Sequence, residues 1–139
     1  MRLVIPSTLL KQALAADALV SGSVAALQIA IPDVLGRLLL LPRGLLLETG
    51  IFLAGHAIFL VLLARTTRVA SALVMIVVLG NLGWAVACAL SLATGTLEPS
   101  ALGLGFVLLQ VFAVPLLASL EYLGLRASRP TSSSVAART

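Results

Sequence analysis

"GLLLETGIFLAGHAIFLVLLARTTRVASALVMIVVLGNLGWAVACALSLA", residues 44–93, consists of two long apolar runs joined by one short polar turn, Arg65-Thr66-Thr67-Arg68. Each run, about 44–64 and about 69–93, exceeds the roughly 20 mainly apolar residues that a helix needs to cross about 30 Å of hydrocarbon. Neither run alternates inward and outward residues as a barrel strand does. The stretch therefore predicts a helical hairpin, and working outward two further runs, about 13–31 and about 100–125, predict two more spans. The expected fold is all-α: a transmembrane four-helix bundle, antiparallel and up-down.

The whole chain agrees with that reading. Its 139 residues are 60% hydrophobic and 10% charged, with a mean hydropathy of +1.17, whereas soluble domains carry about 25% charged residues. The breaks between runs are chemically marked. Ile31-Pro32-Asp33 closes the first run, because proline disfavours helix at the residue before it, and Asp33 is placed to cap the next segment. "VLGRLLLLP", 34–42, is too short to span and carries Arg37, so segment 33–42 reads as interfacial. "TGTLEP", 94–99, offers a glycine stop and a proline restart. Residues 1–12 form an N-terminal segment, 13–125 a single membrane domain, and 126–139 a polar tail that reads as disordered. Arg2 and Lys11 ahead of the first run, with "SVA" inside it, imitate a cleaved signal peptide; Asp17 and the length of the run argue against cleavage.

Charge sets the expected orientation. Of nine basic residues, Arg2, Lys11, Arg65, Arg68, Arg126, Arg129 and Arg138 fall on the side of the termini, and Arg37 and Arg43 on the other. Cytoplasmic loops accumulate Lys and Arg, so both termini are expected in the cytoplasm. The pI near 10.7 then reflects topology and lipid headgroups, and nucleic acid is not an expected partner.

The polar residues inside the runs form stripes. At 100° per residue Asp17, Ser21 and Gln28 share a sector of about 40°. Beside them runs the small-residue ridge Ala18, Gly22 and Ala26, of the kind that lets another backbone approach. Asn81, Trp84 and Cys88 share a face in the third run, flanked by Gly83, Ala87 and Ser91; Gly103, Gln110 and Glu121 align in the fourth. Glu48 and His56 lie about 80° apart on the second. A charge in hydrocarbon costs about 2.5–3.5 kcal/mol on insertion scales, so these faces should point at one another. Asp17, Ser21, Gln28, Glu48, His56, Asn81, Gln110 and Glu121 are thus the candidate intramembrane polar cluster. Depth pairs Asp17 with His56 or Asn81, and Gln28 with Glu48, and lets Glu121 reach water or the Arg65 and Arg68 turn.

Catalysis finds no foothold. One cysteine excludes an internal disulfide, one histidine excludes bis-His haem ligation within a monomer, and no cluster has metal-ligand spacing. No catalytic residue, metal or cofactor is expected. "DALVSG" (17–22), "GNLGW" (80–84), "GLGFVLLQ" (103–110) and "EY" (121–122) together resemble a family of small four-helix bacterial integral membrane proteins without an assigned activity. That resemblance covers most of residues 11–126 and implies the bacterial inner membrane. Two functions remain open: a structural or accessory membrane component acting through helix contacts with itself or another membrane protein, and a small proton- or cation-coupled transporter using Asp17.

Overall fold

The computed structural model describes residues 2–131. Five helices succeed one another: α1 (Thr8–Ala30), α2 (Pro32–Leu39), α3 (Arg43–Arg65), α4 (Ser71–Ala93) and α5 (Ala101–Arg126), with three short strands, β1 (Leu3–Ile5), β2 (Val69–Ala70) and β3 (Arg129–Pro130). All but α2 are long and apolar enough to cross a membrane, as expected of the four runs. Their outward faces carry large exposed hydrophobic side chains, among them Leu19, Ile51, Leu79 and Phe112. A soluble monomer rarely leaves so continuous an apolar surface uncovered, and the arrangement is compatible with a membrane protein.

Helix α1 begins five residues before the expected start at 13. Ser7 explains the earlier start: its hydroxyl accepts from the Leu10 amide at 3.1 Å, a side-chain N-cap, and donates to the Gly124 carbonyl at 2.7 Å. The start of α1 is thereby fixed to the end of α5. A side chain at Gly124 would bring its Cβ to 2.6 Å from the Leu10 backbone, so only glycine permits the approach. The strands reinforce this end: β1 pairs antiparallel with both β2 and β3, in the order β2-β1-β3. The N-terminal segment, the α3–α4 turn and the start of the tail are gathered into one small sheet over a core of Leu10, Leu14, Leu60, Val74 and Val78. Residues 129–130 of the expected disordered tail belong to that sheet, and 132–139 lie outside the described residues.

At the other end α2 occupies the segment expected to lie in the interface. Pro32 opens it; Asp33 sits in its first turn and makes no cap bond, because Ile31 holds the cap position. Asp33 instead meets Arg43 at 2.8 Å on the exposed surface. Leu40, with φ of 52°, ends α2 in the left-handed region. The end of α2 docks on the start of α5: Ser100 donates from its amide to Leu39 O at 2.9 Å and from its hydroxyl to Leu38 O at 2.6 Å, and Gly103 lies directly against Leu39 O.

Helix packing departs from simple sequence adjacency. Extensive contacts join α1 to α3, α1 to α5, and α4 to α5. Helices α3 and α4, although consecutive, do not pack along their length, and a cavity of about 450 Å³ lies between them. The expected small-residue ridges do not form the closest helix contacts. A Cβ on Gly22 would sit at an ordinary 3.6 Å from Ala57, Ala26 is exposed, and Gly83 and Ala87 line the cavity. The backbones approach most closely at Gly50, Gly103 and Gly124.

Candidate functional site

The polar stripe of α1 points inward, as the wheel requires, and Asp17 is 1% exposed. Ser21, one turn on, donates to Asp17 Oδ1 at 2.9 Å. Asn81, midway along α4, donates to Asp17 Oδ2 at 2.8 Å and to Glu121 Oε2 at 3.3 Å. His56 of α3 places Nε2 at 3.6 Å from Asp17 Oδ2. Five expected residues, Asp17, Ser21, His56, Asn81 and Glu121, thus meet where all four long helices converge. Both expected partners of Asp17, Asn81 and His56, stand beside it.

Glu121 corrects its expected surroundings. It is fully buried beside Asn81 and does not reach water or the Arg65–Arg68 turn. Glu121 shares its sector of α5 with Gly103, and Gly103 is packed against α2, so that sector is the inward one along the whole helix. Glu48 also departs from expectation. Its side chain is exposed, and the Gln28–Glu48 pair does not form. Gly50, the residue of α3 that lies against Gln28, turns toward α1, and Glu48, two residues or about 200° away, turns from it. Gln28 remains buried at 3% exposure, apart from the Asp17 group.

Gln110 belongs to a neighbouring contact: its Oε1 accepts from Trp84 Nε1 at 2.8 Å. Trp84 also stacks on Phe52 at 6.1 Å between ring centroids, and Phe52 on His56 at 6.4 Å. This aromatic row reaches from α3 to α4 across the cavity. The sequence reading assigned no role to Phe52, although it stands one turn before His56 on α3; that spacing was the available signal. Trp84 and Gln110 also line a second cavity, of about 210 Å³, with Gln28, Thr49 and Cys88. Their hydrogen bond stands where the two cavities meet.

Three buried side-chain polar atoms have no hydrogen-bond partner among the described residues: His56 Nε2, Glu121 Oε1 and Gln28 Oε1. Among the described residues no three His, Cys, Asp or Glu side chains are grouped to hold a metal, and Cys88 is a half-buried free thiol. What the cluster does chemically is hold helices together and present acceptors to a cavity. No known family, no curated protein and no solved structure matches the chain.

Proposed function

We propose that this chain is a multi-pass protein of the bacterial inner membrane, a member of the small four-helix family that its motifs resemble, and a structural or accessory component without catalytic activity. In this reading the helices form an antiparallel up-down bundle with both termini in the cytoplasm, and the protein works through contacts with itself or another membrane protein. One observation carries the accessory role: both carboxylate oxygens of Asp17 are engaged inside the protein, by Ser21 and Asn81. The acid that stands out in the sequence is a tie between α1 and α4. Orientation is supported by the small sheet, which brings together the segments holding Arg2, Lys11, Arg65, Arg68, Arg126 and Arg129, the positive side expected to stay in the cytoplasm. The exposed apolar faces fit lipid and partner helices. Purification from native membranes in mild detergent, with mass identification and crosslinking between copies, tests the reading. A stoichiometric membrane-protein partner or a defined homo-oligomer is expected, and a solitary monomer overturns it.

The cavity beside Asp17 favours a second reading, a small transporter in which Asp17 binds a proton or cation. Asp17→Asn keeps an acceptor and removes the charge, so both readings expect it to fold. Asp17→Leu separates them. A structural tie loses its bonds and the protein unfolds more readily, whereas a transport site keeps its stability and loses flux.

A further inference from the structure

The polar groups facing the α3–α4 cavity are unevenly matched. Three side-chain donors at its wall are engaged: the Ser21 hydroxyl on Asp17, the Asn81 amide on Asp17 and Glu121, and the Trp84 indole on Gln110. Of the acceptors, Gln110 Oε1 and both Asp17 oxygens already take a bond each, and two atoms keep capacity for another. His56 Nε2 has no hydrogen-bond partner among the described residues, and it accepts when its ring proton is on Nδ1. Asp17 Oδ2 takes one bond from Asn81 and, as a carboxylate oxygen, has room for another. The two atoms are 3.6 Å apart and closed to the cavity at rest, Asp17 at 1% exposure and Nε2 buried, so a guest nitrogen comes within about 2.8–2.9 Å of both by parting the His56 ring from Asp17. What fits there is a donor, and a positively charged donor makes the stronger bond to a carboxylate.

The rest of the wall selects the body that carries this donor. It is largely apolar, and the Phe52 and Trp84 rings offer aromatic faces of the kind that attract a cation within about 6 Å. A volume of about 450 Å³ lies within the range of small-molecule sites, roughly 300–1,000 Å³. Phe52 and Ile76, on the two flanking helices, are both 61% exposed, so the entrance is hydrophobic and suits a guest already dissolved in lipid. We propose that the cavity binds a lipophilic primary amine as its ammonium ion, with the nitrogen bridging Asp17 Oδ2 and His56 Nε2 and the apolar body lying between Phe52, Trp84 and Ile76. A quaternary ammonium lacks N–H and leaves both acceptors unmet. An alcohol brings one donor and no charge. The site goes beyond the accessory role and does not depend on it, since partner capture and amine binding are read separately.

The test titrates the full chain in lipid nanodiscs with phenethylamine, its trimethylammonium analogue and phenethyl alcohol near neutral pH. The signal is the emission of Trp84, the single tryptophan. A saturable response to the primary amine is expected, with the two analogues weaker by roughly tenfold or more for want of the charge-assisted bonds. His56→Phe keeps an aromatic ring beside Phe52 and removes the acceptor; it and Asp17→Asn should each weaken the amine several-fold. Gly80→Leu supplies an arm that leaves the polar groups intact. Gly80 lines the cavity and a Cβ there meets nothing within 4 Å, so leucine fills the space and abolishes the response. Non-saturable partitioning, equal affinity for the three compounds, or unchanged binding in His56→Phe or Gly80→Leu overturns the proposal, whether or not Asp17→Asn folds.

Discussion

Replacing Asn81 by leucine is the sharpest test of the polar interior, because its one amide group donates to two helices at once. The bonds to Asp17 and Glu121 are interhelical hydrogen bonds of a type that averages about 0.6 kcal/mol in membranes and reaches about 1.7. Leucine removes both and leaves the accepting oxygens facing an apolar side chain, where an unsatisfied group costs about 1–3 kcal/mol. Asp17 keeps its bond from Ser21, whereas Glu121 Oε2 loses its donor and Oε1 already lacks one among the described residues. Most of the penalty therefore falls on Glu121, and the expected loss is about 2–4 kcal/mol. The assay is reversible unfolding in mixed micelles against increasing denaturing detergent. Leu82→Ala, at a 40% exposed neighbour on α4, is the control, and an exposed substitution should stay within about 0.5 kcal/mol. If Asn81→Leu unfolded with the wild type, the hydrogen bonds would contribute nothing net and the hub argument would fail.

The glycines give a paired expectation. Gly124→Ala forces a Cβ into the Leu10 backbone and should cost about 1–3 kcal/mol by overpacking, while Gly22→Ala meets only ordinary contact and should gain about 0.5–1 kcal/mol from helix entropy; detergent melting compares them, and the reverse order refutes the packing. In a Cys88→Ser background, Thr67→Cys should resist an impermeant thiol reagent in intact cells and Glu98→Cys should react, and labelling of position 67 from outside rejects cytoplasmic termini. Ser7→Ala removes both the α1 cap and the donor to Gly124, with an expected loss of about 1–2 kcal/mol and faster hydrogen exchange at the start of α1; unchanged exchange there refutes the clasp.

Hydropathy made the four long helices legible because each needs only a long apolar run, and the cores of the expected spans coincide with α1, α3, α4 and α5. It was blind to the first turn of α1, where Lys11 and Gln12 lower the apolar signal; Ser7 and the end of α5 decide that boundary. The 3.6-residue period placed Asp17 inside, and depth, counted at about 1.5 Å per residue, paired it with His56 or Asn81. It failed for Glu48 because a wheel gives angles within one helix and not the rotation of that helix against its neighbour. That rotation is set by Gly50 against Gln28, a contact visible only once the helices are docked. Small-residue ridges misled for a related reason. Gly and Ala permit close approach without requiring it, and here Gly83 and Ala87 leave room for a cavity.

The gap between α3 and α4 arises from how their ends are held. Among consecutive long helices the shortest linker joins this pair, yet Val69 and Ala70 within it are drawn into a sheet with β1, so α4 starts from the N-terminal strand. Docking then obeys the closest backbone approaches: Gln28 of α1 against Gly50 of α3, Leu10 of α1 against Gly124 of α5. Helix α1 is thus the central element, with α3 on one flank and α5 on another, and α4 reaches it mainly through α5 and the Asn81 bonds. What bridges α4 to α3 is the Phe52–Trp84 stack. Such an aromatic contact is worth about 0.5–1.5 kcal/mol beyond its buried area, comparable to a single interhelical hydrogen bond, so the α3–α4 seam is the least strongly held side of the protein. The side chains that open onto that seam, Asp17 and His56, are therefore the polar pair best placed to meet anything that enters from the bilayer.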